Sequence, residues 1–232
     1  MTRRCGLIAA LDTQDVAQAA AWAAALSPAC GMVKLGLEFF LANGAEGLRA
    51  VGAPDVFLDL TLHDIPNTVA GGVRAVLPLA PRLLTLHAQG GAAMIAAARE
   101  AAETGGAGRP KLLAVTVLTS LDDAALGAMG IADGARAQVL RLARVALEAG
   151  ADGLVCSPQE VAPLRDAFGG GPLLVVPGIR PAGAAADDQA RTMTPAEAAR
   201  AGADWLVVGR PITRAADPAA AAAALAAEIA AA

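Results

Sequence analysis

The sequence predicts a single domain built as a closed barrel of eight parallel strands wrapped by helices, a (β/α)8 barrel. Eight short runs rich in Val, Ile and Leu alternate with longer Ala-rich segments along all 232 residues, with no linker between them. The runs are apolar almost throughout, as in strands covered on both faces, and not polar at every second residue. An open doubly wound sheet is the structural alternative, but it has two edges to protect and usually fewer strands.

The strands are expected at residues 5–11, 32–35, 56–60, 83–86, 112–118, 153–156, 173–176 and 205–208. Helices fit between them. Segment 14–26 places Val16, Ala19, Ala20, Ala23 and Leu26 on one stripe. Segment 91–104 ends at Gly105–Gly106, and segment 136–149 lines up Val139, Leu142, Ala143 and Ala146 before a stop at Gly150. Segment 195–201 opens with Thr194–Pro195, a cap followed by proline at the first helical position. The last helix repeats the device with Asp217–Pro218 and turns Leu225 and Ile229 inward.

Composition narrows the function. Apolar residues make up 56% of the chain and charged ones 17%, which excludes a disordered chain. The net charge of −4 and the absence of a Lys/Arg block argue against nucleic acid or a membrane surface as partner. No strongly apolar stretch reaches the ~18 residues a membrane span requires, and the alanines of 219–232 are helix formers. Met1–Gly6 is basic, but a short strand and Asp12 follow, so no signal peptide is expected. Cys5, Cys30 and Cys156 lack C-x-x-C spacing and read as reduced, mostly buried thiols of a cytoplasmic protein.

In such a barrel the chemistry sits at the C-terminal ends of the strands. The polar residues there are Asp12, Lys34, Asp59, Thr61, His63, Asp64, His87, Thr119, Ser120, Ser157, Arg180, Gly209 and Arg210. A carboxylate cluster needs a cation, and Lys34 is the one available to Asp12 and Asp59. Barrels often hold phosphate after strands seven and eight, where Gly178, Arg180, Gly209 and Arg210 stand here. The connection 177–194 is long for a β–α loop and carries Asp187, Asp188, Gln189 and Arg191, so a phosphate-gripping loop is expected at about 178–193. His63 and His87 have no partner at metal-ligand spacing and read as hydrogen-bonded packing residues.

The run Phe57-Leu-Asp-Leu-Thr-Leu-His-Asp-Ile-Pro-Asn-Thr68 resembles the signature D-L-K-F-H-D-I-P-N-T of the orotidine 5′-phosphate decarboxylase family. Ala10-Leu-Asp12, Val33-Lys-Leu-Gly36, Val115-Thr-Val-Leu-Thr-Ser120, Val176-Pro-Gly-Ile-Arg180 and Val208-Gly-Arg-Pro-Ile212 are similar to the same family, in the expected order. The resemblance implies a homodimeric barrel that converts orotidine 5′-monophosphate to UMP and CO2, the last step of UMP biosynthesis, without metal or organic cofactor. It further implies that Asp12 and Lys34 bind the ribose hydroxyls and that Asp59 crowds the substrate carboxylate. Asp64 and Thr68 would reach into the neighbouring subunit's site, and Thr119 would touch the orotate ring. Gln189, Arg210 and the Gly209 amide would hold the phosphate, with Arg180 beside them.

One position departs from the signature. The family's proton-donating lysine is Thr61 here, and its phenylalanine is Leu62. Threonine is a poor acid and carries no charge, so impaired turnover is expected. Two other functions compete. Sugar-phosphate members of the same suprafamily, 3-keto-L-gulonate 6-phosphate decarboxylase and hexulose-phosphate synthase, share D-x-K-x-x-D and use a metal. Pro66-Asn67-Thr68 and Asp187-Asp188-Gln189 speak against them. A nucleotide-binding barrel without catalysis has Thr61 as its support.

Overall fold

In the computed structural model, which describes residues 5–180 and 193–232, eight parallel strands close into a barrel in sequence order. They are β1 Gly6–Ala10, β2 Met32–Gly36, β3 Val56–Leu62, β4 Leu83–His87, β5 Lys111–Val115, β6 Gly153–Val155, β7 Leu173–Val176 and β8 Trp205–Val208. β1 pairs with both β2 and β8, which closes the ring. The connections carry α1 Val16–Leu26, α2 Leu37–Val51, α3 Pro66–Val76, α4 Gly91–Glu103, α5 Asp123–Ala128, α6 Gly134–Glu148, α7 Val161–Phe168, α8 Pro195–Arg200, α9 Arg210–Thr213 and α10 Pro218–Ala230.

The caps expected at Thr194 and Asp217 form, and Asp15 adds one at α1. The Asp15 carboxylate accepts from the Ala17 and Gln18 amides at 2.8 and 3.1 Å and starts α1. Thr194 and Glu197 make a reciprocal capping box at α8, and Asp217 accepts from the Ala220 amide at 3.0 Å to start α10.

β7 and β8 coincide with their expected ranges, β1, β2, β4 and β6 differ by one residue at one or both ends, and β5 and β3 differ by more. The run 112–118 does not continue as strand: β5 stops at Val115, and the Leu118 carbonyl already accepts from the Leu121 amide in a turn. β3 runs two residues further than expected, to Leu62, because its pairing with β4 slips between Leu58 and Leu62 and resumes beyond the irregularity.

Alternation along the strands separates two apolar cores. Ile8, Met32, Phe57, Leu83, Leu113, Val175 and Val207 point into the barrel. Their neighbours Leu7, Val33, Leu58, Leu84, Leu112, Leu174 and Leu206 point outward and pack under the helices. The barrel wall is tight between β6 and β7. A Cβ at Gly153 would lie 2.4 Å from the Leu173 carbonyl oxygen, so any side chain there would displace strand backbone.

The N-terminal end of the barrel is tied by carboxylates placed just before strands. Asp152 accepts from the Leu112 amide at 2.9 Å and from Arg109 Nη1 and Nη2, each at 2.8 Å. Burial alone would raise its pKa. The Arg109 hydrogen bonds, the Leu112 amide and the nearby cations outweigh that and hold it below the usual carboxylate value. Asp204 repeats the arrangement with the Leu174 amide at 2.8 Å and Arg165 at 2.6 Å. Stability contacts thus occupy the end opposite the polar mouth.

All three cysteines are thiols, with Cys30 and Cys156 buried and Cys5 half-buried. Burial pushes the Cys5 thiol up to about 12 and the Cys30 thiol up to about 11, so both are protonated and unreactive at neutral pH. Among the described residues, no helix is long and apolar enough to cross a membrane.

Candidate functional site

The alternation that fills the barrel with apolar side chains also sends polar ones to its mouth. Lys34 follows Met32 on the inner face of β2, Asp59 follows Phe57 on β3, and Thr85 follows Leu83 on β4. A lysine largely withdrawn from water must find carboxylates. Lys34 Nζ lies 3.2 Å from Asp59 Oδ2 and 3.7 Å from Asp12 Oδ1. The ion chain expected from the sequence is therefore present.

The other oxygen of Asp59 is also engaged. Thr85 Oγ1 donates to Asp59 Oδ1 at 2.8 Å and Thr61 Oγ1 donates to the same atom at 3.3 Å. The Thr61 amide in turn donates to Thr85 Oγ1 at 2.8 Å. Thr61 has φ 45°, in the left-handed region that a β-branched residue rarely adopts. Such strain costs on the order of 1–3 kcal/mol and persists only where surrounding contacts impose it.

Two cavities adjoin this cluster. One, of about 220 Å3, is polar: Asp12, Lys34, Asp59, Gly178, Arg180, Gly209 and Arg210 line it, with Ala10, Pro177 and Val207. The other, of about 160 Å3, is mainly apolar: Val115, Val117, Leu118, Val155 and Cys156 line it, with Asp59, Thr61, Thr119 and Pro177. Asp59 and Pro177 belong to both. A bound molecule with an anionic group, a polyhydroxylated middle and a flat ring would match this sequence of surfaces, and its ring would meet Asp59.

Details of the polar cavity suit an anion. Arg180 is buried, with Nη1 donating to the Ile179 carbonyl at 2.9 Å, so its guanidinium is held in place. Gly209 lies beside Asp12, where a Cβ would make ordinary contacts of 3.4 Å with Asp12 Oδ2 and the Ala10 Cβ.

Most residues expected at the site converge there. Asp12, Lys34, Asp59, Arg180, Gly209 and Arg210 share the polar cavity, and Thr61 and Thr119 reach the apolar one. Thr119 gets there from a turn and not from a strand end. Asp64 and Thr68 line neither cavity and are exposed, Asp64 Oδ1 accepting from the Ile65 amide at 2.6 Å. Gln189, Asp187, Asp188 and Arg191 lie outside the described residues. Ser157 is fully buried and lines neither cavity, and its hydroxyl has no hydrogen-bond partner among the described residues.

His63 and His87 stack with ring centroids 5.1 Å apart. His87 Nδ1 accepts from the Gln89 amide at 3.2 Å, which puts the proton of the neutral ring on Nε2. Burial, and then the neighbouring His63, lower its pKa and favour that neutral form. The packing role expected for His87 matches this geometry.

Sequence reasoning missed Thr85. The signal was available: in Leu-Leu-Thr-Leu-His the period of two puts Thr85 on the inner face, where a hydroxyl requires a polar partner. A larger hollow of about 400 Å3 lies away from this chemistry, between α5 and α7. Its acidic groups Asp122, Asp123 and Glu160 accept the backbone amides of Ala125, Ala135 and Ser157, so they serve as local caps.

Comparison with known proteins agrees with this geometry. Residues 6–225 match the model of the orotidine 5′-phosphate decarboxylase / HUMPS family. The chain is 57% identical over 234 residues to the orotidine 5′-phosphate decarboxylase of Gluconobacter oxydans, covering 99% of each protein. It is 58% identical over 224 residues to that of Anaeromyxobacter sp. (strain K), covering 95% of this chain and 96% of the relative. The crystal structure of orotidine 5′-phosphate decarboxylase from Lactobacillus acidophilus superposes with a TM-score of 0.85 at 40% identity, over 97% of this chain and 99% of that one. With a barrel of this form and a match spanning nearly its whole length, the chain belongs to the orotidine 5′-phosphate decarboxylase / HUMPS family.

Proposed function

We propose that this chain binds orotidine 5′-monophosphate and decarboxylates it to UMP and CO2, with turnover slowed by Thr61. The observation that carries the reading is Asp59, shared by a polar cavity with two arginines and an apolar cavity that fits a flat ring. Arg180, Arg210 and the Gly209 amide hold the phosphate, helped by Gln189 from the loop at about 178–193. Asp12 and Lys34 take the ribose hydroxyls. The pyrimidine enters among Val115, Val117, Leu118 and Val155, with Thr119 at its edge.

In that pose the substrate carboxylate meets the Asp59 carboxylate, and their repulsion is relieved as CO2 leaves. The C6–carboxylate bond breaks, its electron pair stays on C6, and a proton must arrive there. Thr61 serves this step poorly. Its hydroxyl is a weak acid and already donates to Asp59 Oδ1 at 3.3 Å. Water has to supply the proton.

Ground-state binding does not depend on an acid at position 61. UMP is therefore expected to bind the unaltered chain with a dissociation constant below the millimolar range, measured by titration calorimetry. Absence of binding at millimolar UMP would overturn the phosphate and ribose assignments together.

The active form is proposed to be a homodimer in which Asp64 and Thr68 complete the partner's site. Both residues are exposed and line neither of the two cavities, and Leu37, Leu41 and Ile65, after the adjacent strands β2 and β3, are 50%, 79% and 67% exposed. Burying them in a stable interface of roughly 1,200–2,000 Å2 explains this apolar exposure. Sedimentation is expected to give a dimer at micromolar concentration, and a monomer there would exclude the shared site. The buried thiols suit a reducing compartment, and the proposed location is the cytoplasm.

A further inference from the structure

We propose that Thr85 is a positioning residue of this site: its single hydroxyl fixes both the Asp59 carboxylate and the backbone of residue 61. The inference rests on the decarboxylase reading above. Thr85 is completely buried on the inner face of β4, and it touches neither cavity. It acts through its neighbours.

The hydroxyl has one proton and two lone pairs. An ionised carboxylate can only accept, so the proton goes to Asp59 Oδ1, at 2.8 Å. A lone pair is left for the Thr61 amide, also at 2.8 Å. The nearer of the two hydroxyl donors to Asp59 Oδ1 and the acceptor from the residue 61 amide are thus the same atom. Lys34 cannot replace it, because its ammonium holds the opposite oxygen, Oδ2.

The local fold makes this atom necessary. The β3–β4 pairing slips between Leu58 and Leu62, so the Thr61 amide bonds to a side chain across the irregularity. Residue 61 sits at φ 45°, a conformation that needs outside support. The branched Cβ of threonine restricts χ1 and aims the hydroxyl without a flexible arm. Whichever side chain stands at position 61 therefore projects from a backbone anchored at Thr85.

Thr85→Val removes the hydroxyl and keeps the shape; Thr85→Ser keeps the hydroxyl. In the unaltered chain, hydrogen exchange of the Thr61 amide, followed by NMR, is expected to speed up at least about tenfold in Thr85→Val and to change little in Thr85→Ser. In a chain carrying Thr61→Lys, Thr85→Val is expected to lower kcat for orotidine 5′-monophosphate roughly 10–100-fold, since small misplacements of reacting groups cost that much. KM is expected to stay within about threefold, because Thr85 touches no substrate-binding cavity, and Thr85→Ser is expected to retain most of kcat. Thr85→Ala carries the same comparison if the valine variant does not fold. Unchanged amide exchange, an unchanged kcat in Thr85→Val, or equal losses in the valine and serine variants would overturn the proposal. A Thr61→Lys chain with no decarboxylase activity would instead overturn the decarboxylase reading, and the amide exchange would still decide whether Thr85 holds residue 61.

Discussion

Thr61→Lys is expected to raise the rate of orotidine 5′-monophosphate decarboxylation at least about a thousandfold over the unaltered chain. A positioned general acid contributes ~10²–10⁴ in rate, or roughly 3–5 kcal/mol of barrier. A fixed charge beside a developing anion adds an electrostatic contribution of ~10²–10³. Threonine supplies neither, and its hydroxyl is committed to Asp59. The backbone also favours the exchange. At φ 45° an unbranched lysine is less strained than a β-branched threonine, so the substitution does not have to distort the strand to place its ammonium. The check is a direct comparison of turnover by loss of orotate absorbance, with UMP affinity measured alongside. Phosphate binding is expected to change little, since Arg180 and Arg210 line the other cavity. Comparable rates in the two chains would show that position 61 does not deliver the proton.

Arg210→Ala is expected to weaken UMP binding about 10–100-fold and to leave uridine binding within about twofold. A hydrogen bond to a charged group contributes ~1.5–3 kcal/mol, and each 1.4 kcal/mol is about tenfold in affinity. A guanidinium matches a phosphate in bidentate geometry, which puts this residue at the upper part of that range. Arg210 begins α9 directly after Gly209, and both line the cavity that contains Lys34 and Asp12. The nucleoside lacks the group that the arginine would hold, so it acts as the internal control. Equal losses for nucleotide and nucleoside in titration calorimetry would remove the phosphate assignment and leave Arg210 as a structural residue.

The barrel was legible because its causes are local and periodic. Each strand is a short Val, Ile and Leu run, and the limits of β7 and β8 coincide with runs 173–176 and 205–208. Strand-end polarity pointed to Lys34, Asp59 and Arg210 before any contact was known. The Asp12–Lys34–Asp59 chain followed from charge alone, since a lysine largely withdrawn from water must meet carboxylates. The ends of β3 and β5 were less legible. Apolar composition continues past Val115, yet β5 ends there and a turn closed by the Leu121 amide on the Leu118 carbonyl follows.

Composition and periodicity by themselves determined the closed barrel, the lining of its interior and the set of polar residues brought to its mouth. These follow from the two-residue alternation of strands and the need to bury apolar surface on both sides of the sheet. Tertiary structure alone decided that Asp59 stands between a polar and an apolar cavity, that Asp64 and Thr68 line neither, and that Thr85 ties Asp59 to residue 61. The physical reason is register. A slip in β3–β4 pairing between Leu58 and Leu62 depends on how two strands some 26 residues apart in sequence meet in the closed ring, and no local pattern encodes that meeting.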